Sequence, residues 1–209
     1  DLGSEIGTPA SGAPDVWEAI AAAGAPFDLK PAGMLALDVA RLEAGLLLID
    51  VDFHGSKKAM IESQRYSPAE MGLGRLVDLG KGPFIGRASL AGEHARAPRR
   101  KIVGLEVGWT QVEQLHERNG LPPVAPSAAS RTPVPVRHSG RQIGRATTTA
   151  WSPTLKRLIA LATIDAPHFA MGSRVEFEMT VEGSRHFVGA VVVPQPFFNP
   201  SRKTATPPP

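Results

Sequence analysis

Asp38, Arg41 and Glu43 stand among leucines and alanines in MLALDVARLEAGL, residues 34–46. Residues of these types, so spaced, could bind an anion. A guanidinium takes a carboxylate through two parallel N–H donors, and neighbouring acids can aim it into a cleft. The same spacing also fits a solvated helix face carrying one i, i+3 ion pair worth about 0.2–0.5 kcal/mol. Periodicity does not decide between the two. The histidines, His54, His94, His116, His138, His168 and His186, lack metal-ligand spacing, so no metal site is read. Gly72, Gly74, Gly80, Gly82 and Gly86 lack the strand, glycine and Lys-Ser/Thr order of a phosphate loop.

These residues need elements to hold them. LKPAGMLALDVARLEAG predicts a helix that begins near Pro31 and ends at a left-handed Gly45. Leu35, Val39 and Leu42 form its core stripe, Asp38 and Arg41 share another face, and Glu43 points elsewhere. Upstream, PASGAPDVWEAIAAAG predicts a short amphipathic helix with Pro14 at its first position, Gly24 past its end, and Val16, Trp17, Ile20 and Ala23 on one side. From Leu46 the period is lost: an apolar, strand-like run turns polar up to SPAE, where Ser67, Pro68 and Glu70 predict a capping box. A short helix or turn, then a strand at 75–79 and a helix near 86–93 follow.

The composition changes at HARAPRRK, residues 94–101, which marks a domain boundary. Beyond it, runs rich in Val, Ile and Thr predict strands at 101–107, 132–138, 141–151, 157–165, 174–181 and 185–193, with turns at HSGR and VEGSR. An antiparallel barrel or sandwich is expected. The proline-rich GLPPVAPSAASRTPVPV reads as an excursion between strands, and SRKTATPPP as a loose tail. Trp109, Trp151 and the WSPT turn read as packing at a barrel end.

With 209 residues, 42% of them hydrophobic, the chain can bury one substantial core or two smaller ones. The absence of cysteine excludes disulfides, thiolate metal sites, cysteine-ligated iron-sulfur clusters and a cysteine nucleophile, and fits a reducing cytoplasm. No apolar run approaches the ~20 residues of a membrane span, and the first residues lack a signal-peptide pattern. The net charge is +3 and aromatics make up 6%, with basic residues clustered only at RAPRRK, so nucleic acid is not an expected partner.

Four blocks, PAGMLALDVARLEAG, SPAEMGLGRLVDLGKGPFIGRASL, GRATTTAWSPTLKRLIALATID and VVPQPFFNP, follow one another in an order that resembles the C-terminal half of the glycine-cleavage T-protein superfamily. That superfamily comprises folate-dependent aminomethyltransferases and their demethylase relatives. The resemblance covers nearly the whole chain. It implies an α+β fold in which residues 1–95 complete the folate-binding part, residues 96–200 form the family's C-terminal antiparallel β-barrel, and 201–209 trail as a tail.

The opening DLGSEIG, which lacks an initiating methionine and reads like the middle of a protein, resembles the family's Gly-Glu-x-Gly-Tyr-Glu stretch, with Ser4 where tyrosine is usual. Asp1 then falls at the acidic position that hydrogen-bonds the pterin, where a carboxylate can accept two donors from the amino-pyrimidinone edge. Arg41, in RLEAG, matches an arginine at the folate site, with Asp38 and Glu43 expected to orient it. Lys81 and Arg87, in GKGPFIGR, are candidates for contact with the folate tail.

The resemblance implies tetrahydrofolate as cofactor and a small aminomethyl or methylated donor as partner, with a lipoylated carrier protein as a further one. It places the aspartate beside the folate's reactive nitrogen in the N-terminal half, so no catalytic residue is assigned here and the chain is expected to be an inactive C-terminal fragment. The longer stretch after RLEAG leaves room for demethylases of S-, N- or O-methylated substrates. A branch that supports iron-sulfur proteins is disfavoured, because Pro83 stands where its cysteine would be. Two further alternatives are a non-catalytic folate-binding module of a larger dehydrogenase and a barrel used only for protein contacts.

Overall fold

The computed structural model describes residues 3–203, except the side chain of Arg202. Six strands, β1 (Arg100–Val107), β2 (Val134–His138), β3 (Arg141–Ser152), β4 (Arg157–Asp165), β5 (Arg174–Val181) and β6 (Ser184–Val193), close into a barrel in the order β1-β4-β3-β2-β5-β6. Every pairing is antiparallel, and β6 returns to β1 through Gly104↔Val193 to Val107↔Ala190. Alternation aims Val103, Leu105, Val107, Ala160, Ala162, Ile164, Val175, Phe177, Val188, Ala190 and Val192 into one buried interior. Two hairpins close through two-residue turns in left-handed conformation, Ser139-Gly140 (φ 49° and 78°) and Glu182-Gly183 (φ 49° and 73°). Turns of that hand match the twist of the strands they join.

The barrel half also contains a helix that the strand-dominated reading does not foresee. It is numbered α4 in chain order and spans Trp109–Arg118. It buries Val112 and Leu115 against the barrel, while Trp109 and Trp151 pack with ring centroids 4.6 Å apart.

Before the barrel come α1 (Ala13–Gly24), α2 (Met34–Glu43) and α3 (Arg87–His94). Helix α2 ends in a Schellman motif: the N–H of Gly45 reaches the carbonyl of Leu42 (2.9 Å), and that of Leu46 reaches Arg41 (2.8 Å). Gly45 sits at φ 67°, and a Cβ there would meet Pro196 Cα at 3.3 Å, so glycine serves both the turn and a close approach. This end of α2 lies on the outer face of β1, β3 and β4, where Leu42, Ile102, Ala150, Ile159 and Leu161 make a second buried cluster.

Three expectations are corrected. Leu35 is 65% exposed, so the buried part of the α2 stripe begins at Val39. Gly24 is the last residue of α1 rather than lying past its end, and α1 buries none of its residues; Trp17 is 60% exposed because its apolar side finds no cover among the described residues. Residues 75–79 form no strand. Leu76 and Val77 donate to the carbonyls of Leu73 and Gly74 in a 3-10 turn over Gly74–Leu76, so their backbone groups are used locally. The Ser67-Glu70 box forms reciprocally (3.2 and 3.3 Å) and opens a turn, one of the two forms expected there. At the C-terminal end Ser201–Lys203 makes one 3-10 turn; the rest of the expected tail, from residue 204, and the expected pterin acceptor Asp1 lie outside the described residues.

Candidate functional site

The stretch that raised the question of an anion site is the seam between α2 and the barrel. Arg41 donates from Nε to Asp38 Oδ1 (2.8 Å), from Nη1 to Asp52 Oδ2 (2.7 Å) and the carbonyl of Leu46 (3.3 Å), and from Nη2 to Thr148 Oγ1 (2.9 Å). Four of its five N–H groups are thus taken by the protein.

The centre of this seam is Asp52, which sequence reasoning missed. It is fully buried. Its Oδ1 accepts the hydroxyls of Thr147 and Thr148, both at 2.7 Å, and its Oδ2 accepts the N–H of Leu48 (2.8 Å) as well as Arg41. Adjacent strand residues normally point to opposite faces, yet both threonines reach one carboxylate. The reason is a register shift in β3 between Ala146 and Thr148, a bulge that turns successive side chains to the same side. An acid in an apolar run, LLLIDVD, opposite a threonine triplet, TTT, was the only signal available.

Asp38 bridges two guanidiniums, because its Oδ2 accepts from Arg131 Nε (2.8 Å). Burial pushes the Asp38 carboxyl up, but hydrogen bonds from Arg131 and Arg41 and their positive charges outweigh it and hold the pKa below its ordinary value. Glu43 does not orient Arg41. Two residues further along the helix it faces away, and it accepts the hydroxyls of Ser152 (2.5 Å) and Thr154 (3.3 Å) at the β3–β4 turn. Asp38 meets Arg41 as expected, and Asp52 takes the place expected of Glu43.

Lys81 and Arg87 stand apart from this network. Lys81 is exposed with its Nζ 4.6 Å from the Phe84 ring centroid, and exposed Arg87 donates from Nε to the carbonyl of Leu79 (3.0 Å). Among the described residues, no hydrogen bond or ion pair joins either to Arg41 or Glu43.

Open space lies elsewhere along the β1-β4-β3 wall. A groove of about 980 Å³ runs between α3 and residues 62–70, and one of about 590 Å³ adjoins it; Tyr66 and Arg100 line both. Arg100 stacks 3.9 Å from the Tyr66 ring centroid, donates to the carbonyl of Ser63 (2.6 Å) and pairs with Glu70, while the Tyr66 hydroxyl meets Thr163 (2.9 Å). This cluster staples the segment to the barrel. None of Arg41, Glu43, Lys81 or Arg87 lines either groove, and the buried carboxylates Asp38, Glu43 and Asp52 face neither.

A closed six-stranded barrel carrying a helical segment on its outer wall, joined through buried carboxylates, defines the class of α+β domain pair to which this molecule belongs. The chain belongs to the glycine-cleavage T-protein family. The family model described as GCVT N-terminal domain matches residues 1–81, and that described as glycine cleavage T-protein C-terminal barrel domain matches residues 100–199. The chain is 36% identical over 174 residues to the aminomethyltransferase of Caldanaerobacter subterraneus subsp. tengcongensis, covering 83% of this chain and 40% of that protein. With the aminomethyltransferase of Moorella thermoacetica it shares 35% identity over 201 residues, covering 96% of this chain and 47% of the relative. The crystal structure of glycine cleavage system aminomethyltransferase T from Bartonella henselae matches with a TM-score of 0.64 at 21% identity, over 88% of this chain and 44% of that one, a likeness of fold. The chain spans about half the length of the curated relatives it matches.

Proposed function

We propose that this chain supplies the C-terminal half of a tetrahydrofolate-dependent one-carbon transferase of the aminomethyltransferase kind. The observation that carries this reading is the pair of family matches, in order along one chain, with an aminomethyltransferase aligned over 96% of it. The unburied apolar side of α1 supports it, since a further part of a longer protein would cover that side.

In this reading residues 1–95 complete a folate-binding part, 96–200 are the barrel domain and 201–209 the tail. Asp1 accepts the pterin. Lys81 and Arg87, both exposed cations, contact the anionic tail of the folate. Arg41 and Glu43 hold α2 as the wall of that site; Arg41 keeps one N–H beyond its internal bonds for the ligand. Tetrahydrofolate supplies the nitrogen that takes the one-carbon unit, and residues of this chain bind and orient it. The chain by itself is inactive, and a lipoylated carrier protein is the partner that presents the aminomethyl donor.

The test uses the complete gene product with tetrahydrofolate and either an aminomethyl-lipoyl carrier or small S-, N- and O-methylated donors. Formation of a one-carbon folate with the carrier is the expected result. Turnover only with a methylated donor would move the protein to the demethylase branch, and no folate-dependent turnover with any donor would overturn the reading. In that complete protein, Lys81→Ala and Arg87→Ala are each expected to weaken folate binding by about 1–3 kcal/mol, measured by calorimetry; an unchanged Kd for both removes them from the site.

A further inference from the structure

We propose that Arg131 is the grip of a carboxylate-binding site at the rim of α2, with Met34 and Leu35 as the ledge for the ligand's apolar part. Nothing in the spacing of the sequence pointed to Arg131; its place follows from how three constraints meet.

First, its backbone is fixed. Ser130 exchanges both backbone hydrogen bonds with Thr149 of β3 (2.8 and 2.9 Å), and the N–H of Thr132 closes a local turn onto Ser130 Oγ (3.3 Å), so the chain is tied to the barrel at the residue before Arg131.

Second, its side chain is pinned by one edge only. Asp38 Oδ1 is taken by Arg41, which leaves Oδ2 alone for Arg131 Nε. Asp38 engages Arg131 through Nε, and that bond does not use the Nη1/Nη2 edge. Among the described residues neither Nη of Arg131 has a partner, and the side chain is 50% exposed beside an Asp38 that is 7% exposed. The fork is therefore held in place and open to a second carboxylate.

Third, the neighbouring surface is apolar. Met34 and Leu35 precede Asp38 by four and three residues, on its side of the helix, and are 74% and 65% exposed. Helical side chains lean toward the N-terminus, so the Asp38–Arg131 pair sits over these two. The charges of Arg41, Arg131, Asp38 and Asp52 sum to zero, with Arg131 outermost. An incoming anion meets the guanidinium first.

A carboxylate joined to a flat apolar group fits this pairing of fork and ledge. In the folate reading given above, that ligand is the folate tail, whose glutamyl end carries two carboxylates to be shared between Arg131 and the cations Lys81 and Arg87; this identity rests on the folate reading, whereas the grip does not.

The experiment titrates the 209-residue chain with glutarate, para-aminobenzoyl-glutamate and, lacking a carboxylate, para-aminobenzamide, following the Nε–H resonance of Arg131 and the Kd. Both carboxylates are expected to shift that resonance, with the benzoyl compound the tighter, and Arg131→Gln to weaken both about tenfold. Para-aminobenzamide binding should be insensitive to the change. Arg131→Lys retains a cation for Asp38 and removes the fork, so it is expected to keep the thermal midpoint while losing carboxylate affinity, which separates binding from folding. No binding of either carboxylate by the unaltered chain, or equal binding by Arg131→Lys, would overturn the grip. Arg131-dependent binding with no preference for the benzoyl compound would uphold the grip and overturn its assignment to folate.

Discussion

The barrel and the segment that precedes it are held by different physics. Inside the barrel, burial falls to aliphatic side chains from all six strands, with Phe177, an assembly that releases apolar surface from water and tolerates modest rearrangement. Among the described residues before β1, the buried ones are Asp38, Leu42, Glu43, Asp52 and Gly55, and three of these five are carboxylates. Each carboxylate is met by donors from another part of the chain: Arg131 for Asp38, Thr147 and Thr148 for Asp52, Ser152 and Thr154 for Glu43. Apolar burial makes the barrel stable in a general way, whereas directional bonds to buried acids allow α2 one register on its wall. A buried acid deprived of its partners costs more than the bonds were worth, so the seam is specific rather than merely adhesive.

This contrast can be broken or sharpened by substitution. Asp52→Ala takes one partner each from the Arg41 guanidinium and the Thr147 and Thr148 hydroxyls and the side-chain acceptor from the N–H of Leu48, leaving a buried guanidinium short of one carboxylate, and is expected to cost about 3–5 kcal/mol, concentrated in the seam. Hydrogen exchange should show α2 amides losing protection while β5 and β6 keep theirs; uniform loss across the barrel would refute the division into two regimes. Leu105→Ala, in the fully buried barrel interior, should cost about 2–5 kcal/mol and lower protection in every strand, read from denaturant unfolding. Loss limited to β1 would count against a single cooperative barrel.

Glu43→Gln keeps the shape and one acceptor for Ser152 or Thr154, and should cost about 1–3 kcal/mol, visible as a lower thermal midpoint. A smaller effect comes from acid. The Asp38 pKa is lowered on folding, so its contribution is complete above the ordinary value of 3.8 and is lost as the pH falls below that toward the lowered native one. Asp38→Asn should therefore flatten the dependence of stability on pH below 3.8; parallel acid-unfolding curves for the two proteins would dismiss the linkage. Least of all, Trp17→Ala should stay within about 0.5 kcal/mol, because the ring is mostly exposed on a helix that buries nothing. A large loss of stability in the isolated chain would show that α1 is packed after all.

Much of this could be read from residue order. The Val- and Ile-rich runs gave the strands to within a residue or two, since period-two alternation depends only on neighbouring positions. The helix over MLALDVARLEAG and its left-handed Gly45 were legible for the same reason. Helix α4 was missed because WTQVEQLHER is a short run between a strand signal and the proline-rich excursion, although Trp109, Val112 and Leu115 fall on one helical side. At the candidate site, the i, i+3 pair of Asp38 and Arg41 was visible, but Asp52 and Arg131, which complete their coordination, were not.

By itself, then, the sequence determined the local elements, the left-handed turns that close the hairpins and the chemistry available at α2, because each depends on residues a few positions apart. Only the tertiary structure decided what that chemistry does. Whether Arg41 faces a ligand or an acid depended on Asp52, Thr148 and Leu46 arriving on one side, Thr148 from 107 positions away and aimed by a bulge in β3. The place of Arg131 likewise depended on an Asp38 that the fold presents to two guanidiniums at once. Contacts at such separation carry no periodicity, and where a guanidinium has several acids within reach, the packing of the whole chain selects its partners.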